Sequence, residues 1–432
     1  MGGSITNTGL YTAPTTMPFL PEVTIDATST ADSQAVAQEG VTLVNSTGGS
    51  SGSMAIITGQ VGGQTVDKAY IPVPNPGLIS VVNVDASPAS NAVLTTIQMP
   101  PGYSPNATAA NPTTLEVVVG SYTSPDLQII DAFSDQLVDT LTTPVTQSFS
   151  FSGGSCMICG IQIDPARNQA ILDTAQGYLI LDLSALTFSP FVAAQTAENF
   201  GYSPNQEIAL SPFYDEFGFG VTPGVQAVNF SNNAVFNLSS NGVNWSRPDA
   251  AAVDLTTGVA VVADEDNGSQ LLINLNAATF DSSASPPTFS APSTLFSTSS
   301  PNCGSYNEWT MISVESSTHL LFLGTEYYDD CAGVETLPAA SGSGVPPTPT
   351  IFNWGHVPSA PDGSGWQNAT DPHGIAVFTS VVDGKAYGFL VRADAAWVAK
   401  VDLVGVASAS QLSGGGQGQV DLTPFVTFYA TQ

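Results

Sequence analysis

The residues able to do chemistry in this chain are few and widely spaced. There are four cysteines, three histidines (His319, His356 and His373), and 36 acidic residues against 6 basic ones. Cys156-Met157-Ile158-Cys159 forms a C-x-x-C. Zinc would need four ligands, and no second C-x-x-C or histidine pair stands near it. Covalent haem attachment would need a histidine after the second cysteine, where Gly160 stands instead. Thioredoxin-like exchange needs a helix N-terminus in a βαβ setting, and helix signals are nearly absent. A structural disulfide between Cys156 and Cys159, or two small core residues, is the remaining reading. Cys303 and Cys331 stand 28 apart and suit a second disulfide in an oxidising compartment.

Carboxylates cluster in three places. Asp264-Glu265-Asp266-Asn267-Gly268 has part of a calcium-loop spacing but lacks the distal glutamate, so Asp264 and Asp266 are the candidate Ca²⁺ ligands there. Asp215-Glu216 and the run from Glu326 to Asp330 fall in turns between strands. There is no G-x-S-x-G, Walker loop, dinucleotide fingerprint or H-E-x-x-H, which weakens the common hydrolase and nucleotide-enzyme readings.

The net charge of −30 excludes nucleic acid, because phosphate binding needs clustered Lys and Arg. It also argues against an anionic membrane surface, and no apolar run approaches a membrane span. Charged residues make up only 10% of the chain, so the surface is largely Ser, Thr, Asn, Gln and Gly. With so few Lys and Arg there are few trypsin-type cleavage sites. Together with the even cysteine count this predicts a secreted or cell-surface protein. Met1-Gly2-Gly3-Ser4 carries no signal-peptide pattern, which fits a mature form or a piece of a longer chain.

The elements that position these residues are short, β-branched, apolar runs bounded by Gly, Pro, Asn or Asp. They recur. CGIQIDPARNQAILDTAQGYLILDL from Cys159 reads as three strands and two turns, and the same grammar returns from Asp249 and from His373. Looser copies start at Asn106, Gln206 and Glu308, and a first copy covers Met54 to about Met99. The last apolar residues of the first strands are Ala110, Ile163, Leu210, Val253, Ile312 and Val377, separated by 43 to 65 residues. That is the length of a four-stranded propeller blade, with loop insertions at 282–300 and 339–350. The expected fold is all-β: a seven-bladed β-propeller over 54–432, preceded by a β segment at 1–45 and a linker at 46–53.

In this alignment the residue before each innermost strand faces the mouth of the central channel. Those positions are Asn106, Cys159, Gln206, Asp249, Glu308 and His373. Asp249, Glu308 and His373 have the chemistry of metal ligands or of a general acid and base.

DPHGIAVFTSVVDGKAYGFLVRADAAWVAKVDL and the repeat from Cys159 resemble the YVTN-type repeats of bacterial surface propellers, related in shape to lactonase-type seven-bladed propellers. The resemblance implies a divalent metal and substrate at the channel mouth if the chain is a lactonase-like hydrolase. TNTGLYTAPTTMPFLPEVTIDATSTADSQAVAQEGVTLVN resembles the C-terminal part of a bacterial Ig-like domain, with strands at 22–28 and 35–44. Half a sandwich cannot build its own core.

The leading expectation is a non-enzymatic extracellular module that binds or assembles, as a subunit of a surface filament or adhesin. Residues 1–45 would pair with a second copy or another surface protein by strand addition. The rival is a metal-dependent hydrolase at the channel mouth. Loop aromatics such as Tyr214, Trp245, Trp309, Trp354 and Trp366 suit either packing between blades or stacking on glycans.

Overall fold

A computed structural model describes residues 54–431, apart from 75, 88–91, 152–153, 198, 215–221, 240–242, 266–267, 298–308, 326–330, 362–373, 392–396 and 414–416. Upstream it describes the strands Ser4–Ile5, Tyr11–Thr12, Glu22–Thr28 and Val36–Thr42. The last two pair antiparallel, with Glu22 opposite Thr42.

Seven sheets, each built on a four-stranded meander, make the seven blades of a propeller, and the blade 4 sheet gains two further strands from the blade 5 connection. Their first strands are Ala55–Val61, Pro105–Asn111, Ile158–Asp164, Gly201–Ser203, Pro248–Val253, Trp309–Glu315 and Gly374–Thr379. Inner strands are apolar on both faces because neighbouring blades cover both. In blade 5 every residue of the second strand, Val259–Asp264, is buried. Each core cluster accordingly draws on adjacent blades. One joins Met54, Ile71 and Val82 of blade 1 to Phe389, Val391 and Tyr429 of blade 7.

The ring closes at that junction without exchanging a strand. Blade 7 is built from four C-terminal strands, ending at Val426–Ala430, and blade 1 from its own four. Polar ties complete the closure. Lys400 Nζ reaches Asp85 at 2.9 Å and the Val84 carbonyl at 2.9 Å, Ser380 donates to Asp67 at 2.5 Å, and Ser80 donates to the Thr431 carbonyl at 2.5 Å.

Antiparallel meanders put their first-to-second and third-to-fourth turns at one end of the blade. A residue with positive φ recurs just before the strand that follows such a turn. Gly258 and Gly384 meet that requirement without strain, but Leu115, Asn168, Glu207 and His319 occupy the same place in other blades. Asp or Asn at the strand end fixes the turn by accepting backbone N–H groups, as Asp164 does from Ala166 and Arg167.

Outer edges are blunted in two ways. In blades 5, 6 and 7 the third-to-fourth connection reaches back over the preceding blade. The blade 5 connection supplies Thr279–Asp281 and Thr288–Ser290, and the latter pairs parallel with the fourth strand of blade 4. The 339–350 insertion of blade 6 receives Asn274 Nδ2 from blade 5 on the Gly342 and Gly344 carbonyls, both at 2.9 Å. In blade 7, Gln417–Gln419 brackets the blade 6 Trp354, whose Nε1 donates to Gln417 at 2.9 Å. Blades 1 and 2 carry bulges in their outer pairings instead. Both devices discourage edge-to-edge pairing.

The repeat alignment errs in blade 4. Its first strand is Gly201–Ser203, whereas Leu210 lies in the second strand, Ile208–Phe213. Gln206 therefore sits in the turn and not at a strand start. The first strand is only three residues long and lacks an apolar run, so the stronger second strand took its place in the pattern.

Candidate functional site

The positions nominated for the channel mouth have separate surroundings. Asn106 is buried and donates through Nδ2 to the Ile158 carbonyl at 2.8 Å, tying blade 2 to blade 3. Cys159 is disulfide-bonded to Cys156, with Cα atoms 5.2 Å apart. Gln206 donates to Asn276 of blade 5 at 2.6 Å. Asp249 is buried in the first strand of blade 5, beside Phe149, Phe213 and Tyr214. Glu308 and His373 lie outside the described residues, as do Asp266, Cys303, Trp366 and the clusters at 215–216 and 326–330.

Asp249 belongs to a charged group centred on Arg247. The guanidinium meets Glu265 at 2.7 Å and the Tyr214 hydroxyl at 3.2 Å, and stands 4.9 Å from the Tyr214 ring centre. Burial opposes the charge on Arg247, but Tyr214, Glu265 and Asp249 hold its pKa above the usual guanidinium range. Asp264, nominated for calcium, accepts the backbone N–H groups of Ser246 at 2.8 Å and Arg247 at 3.3 Å. Among the described residues no three His, Cys, Asp or Glu side chains come together as a metal site.

The central channel holds a cavity of about 370 Å³. Consecutive residues of the first strands line it, such as 161–163, 251–253, 312–314 and 375–377. Side chains alternate across a strand, so consecutive lining residues mean that the strand edge itself faces the axis. None of the described lining residues is Asp, Glu, Lys, Arg or His. Tyr202 is the one phenol there; burial and the Asp164 carboxylate at 3.4 Å push its pKa up, so it is neutral.

A second feature went unnoticed in the sequence: the end of the ring formed by first-to-second and third-to-fourth turns. Hydrogen bonds there link every neighbouring pair of blades. Lys68 of blade 1 donates to Asp135 and to the Ala132 carbonyl, both at 2.6 Å. Asn111 of blade 2 donates to Asn168 at 2.6 Å. Arg167 of blade 3 meets Glu207 at 2.7 Å, and Asn205 of blade 4 reaches the Leu255 carbonyl at 3.4 Å. His319 of blade 6 meets Asp254 of blade 5 at 2.8 Å. Thr379 of blade 7 donates to Glu315 of blade 6 at 2.8 Å, and the Ser380–Asp67 bond joins blade 7 to blade 1.

These turns carry several of the exposed apolar side chains. Of ten large ones among the described residues, five (Phe133, Leu186, Leu255, Val381 and Val382) lie on the short turns, and Val345, Val404 and Leu412 lie on the long connections of blades 6 and 7. Phe133 is 68% exposed on a turn clamped by Asp131, which accepts its N–H at 2.9 Å, and by Lys68. Trp309 and Trp354, by contrast, are fully buried packing residues.

No family model matches the chain, and no curated protein matches it. Solved structures resemble it in shape. A chain of the Kuenenia stuttgartiensis hydrazine synthase is 11% identical with a TM-score of 0.51, covering 78% of this chain and 91% of that one. A chain in the complex of KlAtg21 with the coiled coil of AgAtg16 is 12% identical with a TM-score of 0.49, covering 84% and 96%. At such identities the likeness is one of fold, and the chain is a seven-bladed β-propeller.

Proposed function

We propose that this propeller is a non-enzymatic extracellular module that binds or assembles with other proteins, with the turn face as its contact surface. The observation that carries the reading is the belt of blade-to-blade hydrogen bonds beneath exposed apolar tips. A surface held rigid before binding loses little conformational entropy on contact, and apolar tips supply the burial. The likeness to YVTN-type surface propellers and to part of an Ig-like domain points the same way. In this reading the strands Glu22–Thr28 and Val36–Thr42 extend a sheet of a neighbour and join subunits into a surface filament or adhesin.

Light scattering on the full chain over a range of concentrations tests assembly. The expected mass rises above that of one 44.4 kDa chain. Val381→Asp/Val382→Asp lowers it if the turn face makes the contact, and Ile25→Pro lowers it if the strand pair does. A strict monomer at every concentration sinks the assembly reading.

A further inference from the structure

The central cavity is ringed by first-strand edges and open to solvent at its mouth, and its chemistry is selective. Each first strand is hydrogen-bonded along its length to the second strand of its own blade, which turns its other edge of peptide groups toward the axis. The wall is therefore polar through its backbone while its side chains are mostly Ala, Val and Ile. Gln162 is exposed into this space, and Ser313 is half-exposed. The Nδ2 group of Asn199, also on the lining, is shielded from bulk solvent and has no protein partner among the described residues. An unmet donor in such a place costs about 1–3 kcal/mol, so an acceptor oxygen at that point is strongly favoured. No described lining residue offers a counter-charge, so an ion there would have only peptide groups and water to replace its hydration.

From this juxtaposition we infer that the channel is a binding site for a small neutral polyhydroxylated molecule, of the size of a monosaccharide or cyclic polyol, with an oxygen on Asn199 Nδ2. The cavity volume of about 370 Å³ falls in the range of small-ligand pockets. Hydroxyl groups match a wall that presents both donors and acceptors, and the lack of charge matches the lining. The inference goes beyond the proposed contact face and does not depend on it.

Titration calorimetry on the full chain with D-glucose, sorbitol, myo-inositol and sodium gluconate tests it. The expected result is a saturable heat with at least one neutral compound and none with gluconate, which differs from sorbitol only by a carboxylate in place of one terminal CH2OH. Asn199→Ala weakens the neutral ligand by about tenfold, the usual effect of one hydrogen bond. Gln162→Trp, which puts bulk into the cavity, abolishes binding. Thermal unfolding of both variants checks that they fold, and the gluconate comparison needs no variant. Silence with all three neutral compounds overturns the inference and leaves a channel that holds water alone. Equal binding of gluconate, or binding that survives Gln162→Trp in a folded protein, also overturns it.

Discussion

Glu335 is a buried carboxyl in the third strand of blade 6, and its oxygens stand 3.2 and 3.3 Å from the terminal amide of Gln270 in blade 5. Burial pushes its pKa well up, and the Gln270 contact offsets this only in part. An unfolded glutamate titrates at about 4.3, so the folded state binds the proton more tightly. Stability from this group therefore falls as pH rises from that value toward the folded pKa. Glu335→Gln should raise the melting temperature at neutral pH and flatten its rise on acidification, read by thermal unfolding from acid to neutral pH. Lys68 is also fully buried, but it is bound to Asp135 and the Ala132 carbonyl. Lys68→Met leaves Asp135 without its cation and should cost about 3–5 kcal/mol, measured by denaturant unfolding. Lys68→Met/Asp135→Asn should recover part of that loss.

At the scale of elements, the blades were legible because apolar runs between Gly, Pro and Asp turns are a local property of sequence. The short first strand of blade 4 was not, since three residues carry too little pattern to register. The carboxylates misled differently. Asp264 reads as a calcium ligand in the sequence, yet it accepts the Ser246 and Arg247 N–H groups, and Asp164 and Asp254 likewise spend their oxygens on turn N–H groups or on the next blade. Only three-dimensional contact reveals that use, because the partners are as near as two residues or as far as 65. Close packing between blades sets another limit. A Cβ on Gly388 of blade 7 would meet the Phe322 ring of blade 6 at 2.5 Å. Gly388→Ala should destabilise by about 1–3 kcal/mol in the same unfolding assay. The Cys156–Cys159 bond closes a very short loop, so Cys156→Ser/Cys159→Ser should cost about 2 kcal/mol and leave the ring folded.

For the whole molecule, the propeller was predictable because a repeat that cannot bury its own faces must stack and close. The turn face was not predictable. Its bonds join residues far apart in sequence, such as Ser380 to Asp67, and its apolar tips are single residues with no motif. Of the channel-mouth positions that stand out in the sequence, the four among the described residues are a blade tie, a disulfide, a turn and a charged group around Arg247. The channel itself is lined by peptide edges, which no side-chain pattern announces.

Lysine scarcity turns the ring closure into something that can be timed. The chain has three lysines: Lys68 spans blades 1 and 2, Lys400 spans blades 7 and 1, and Lys385 is half exposed beside Asp402. An amine-reactive label applied to the native protein should mark Lys385 quickly and spare the other two. Mass spectrometry of labelled peptides over time would then record when Lys68 or Lys400 comes free. Each would act as a clock for one side of blade 1. If the unexchanged junction is the first part of the ring to part, Lys400 will be labelled before Lys68.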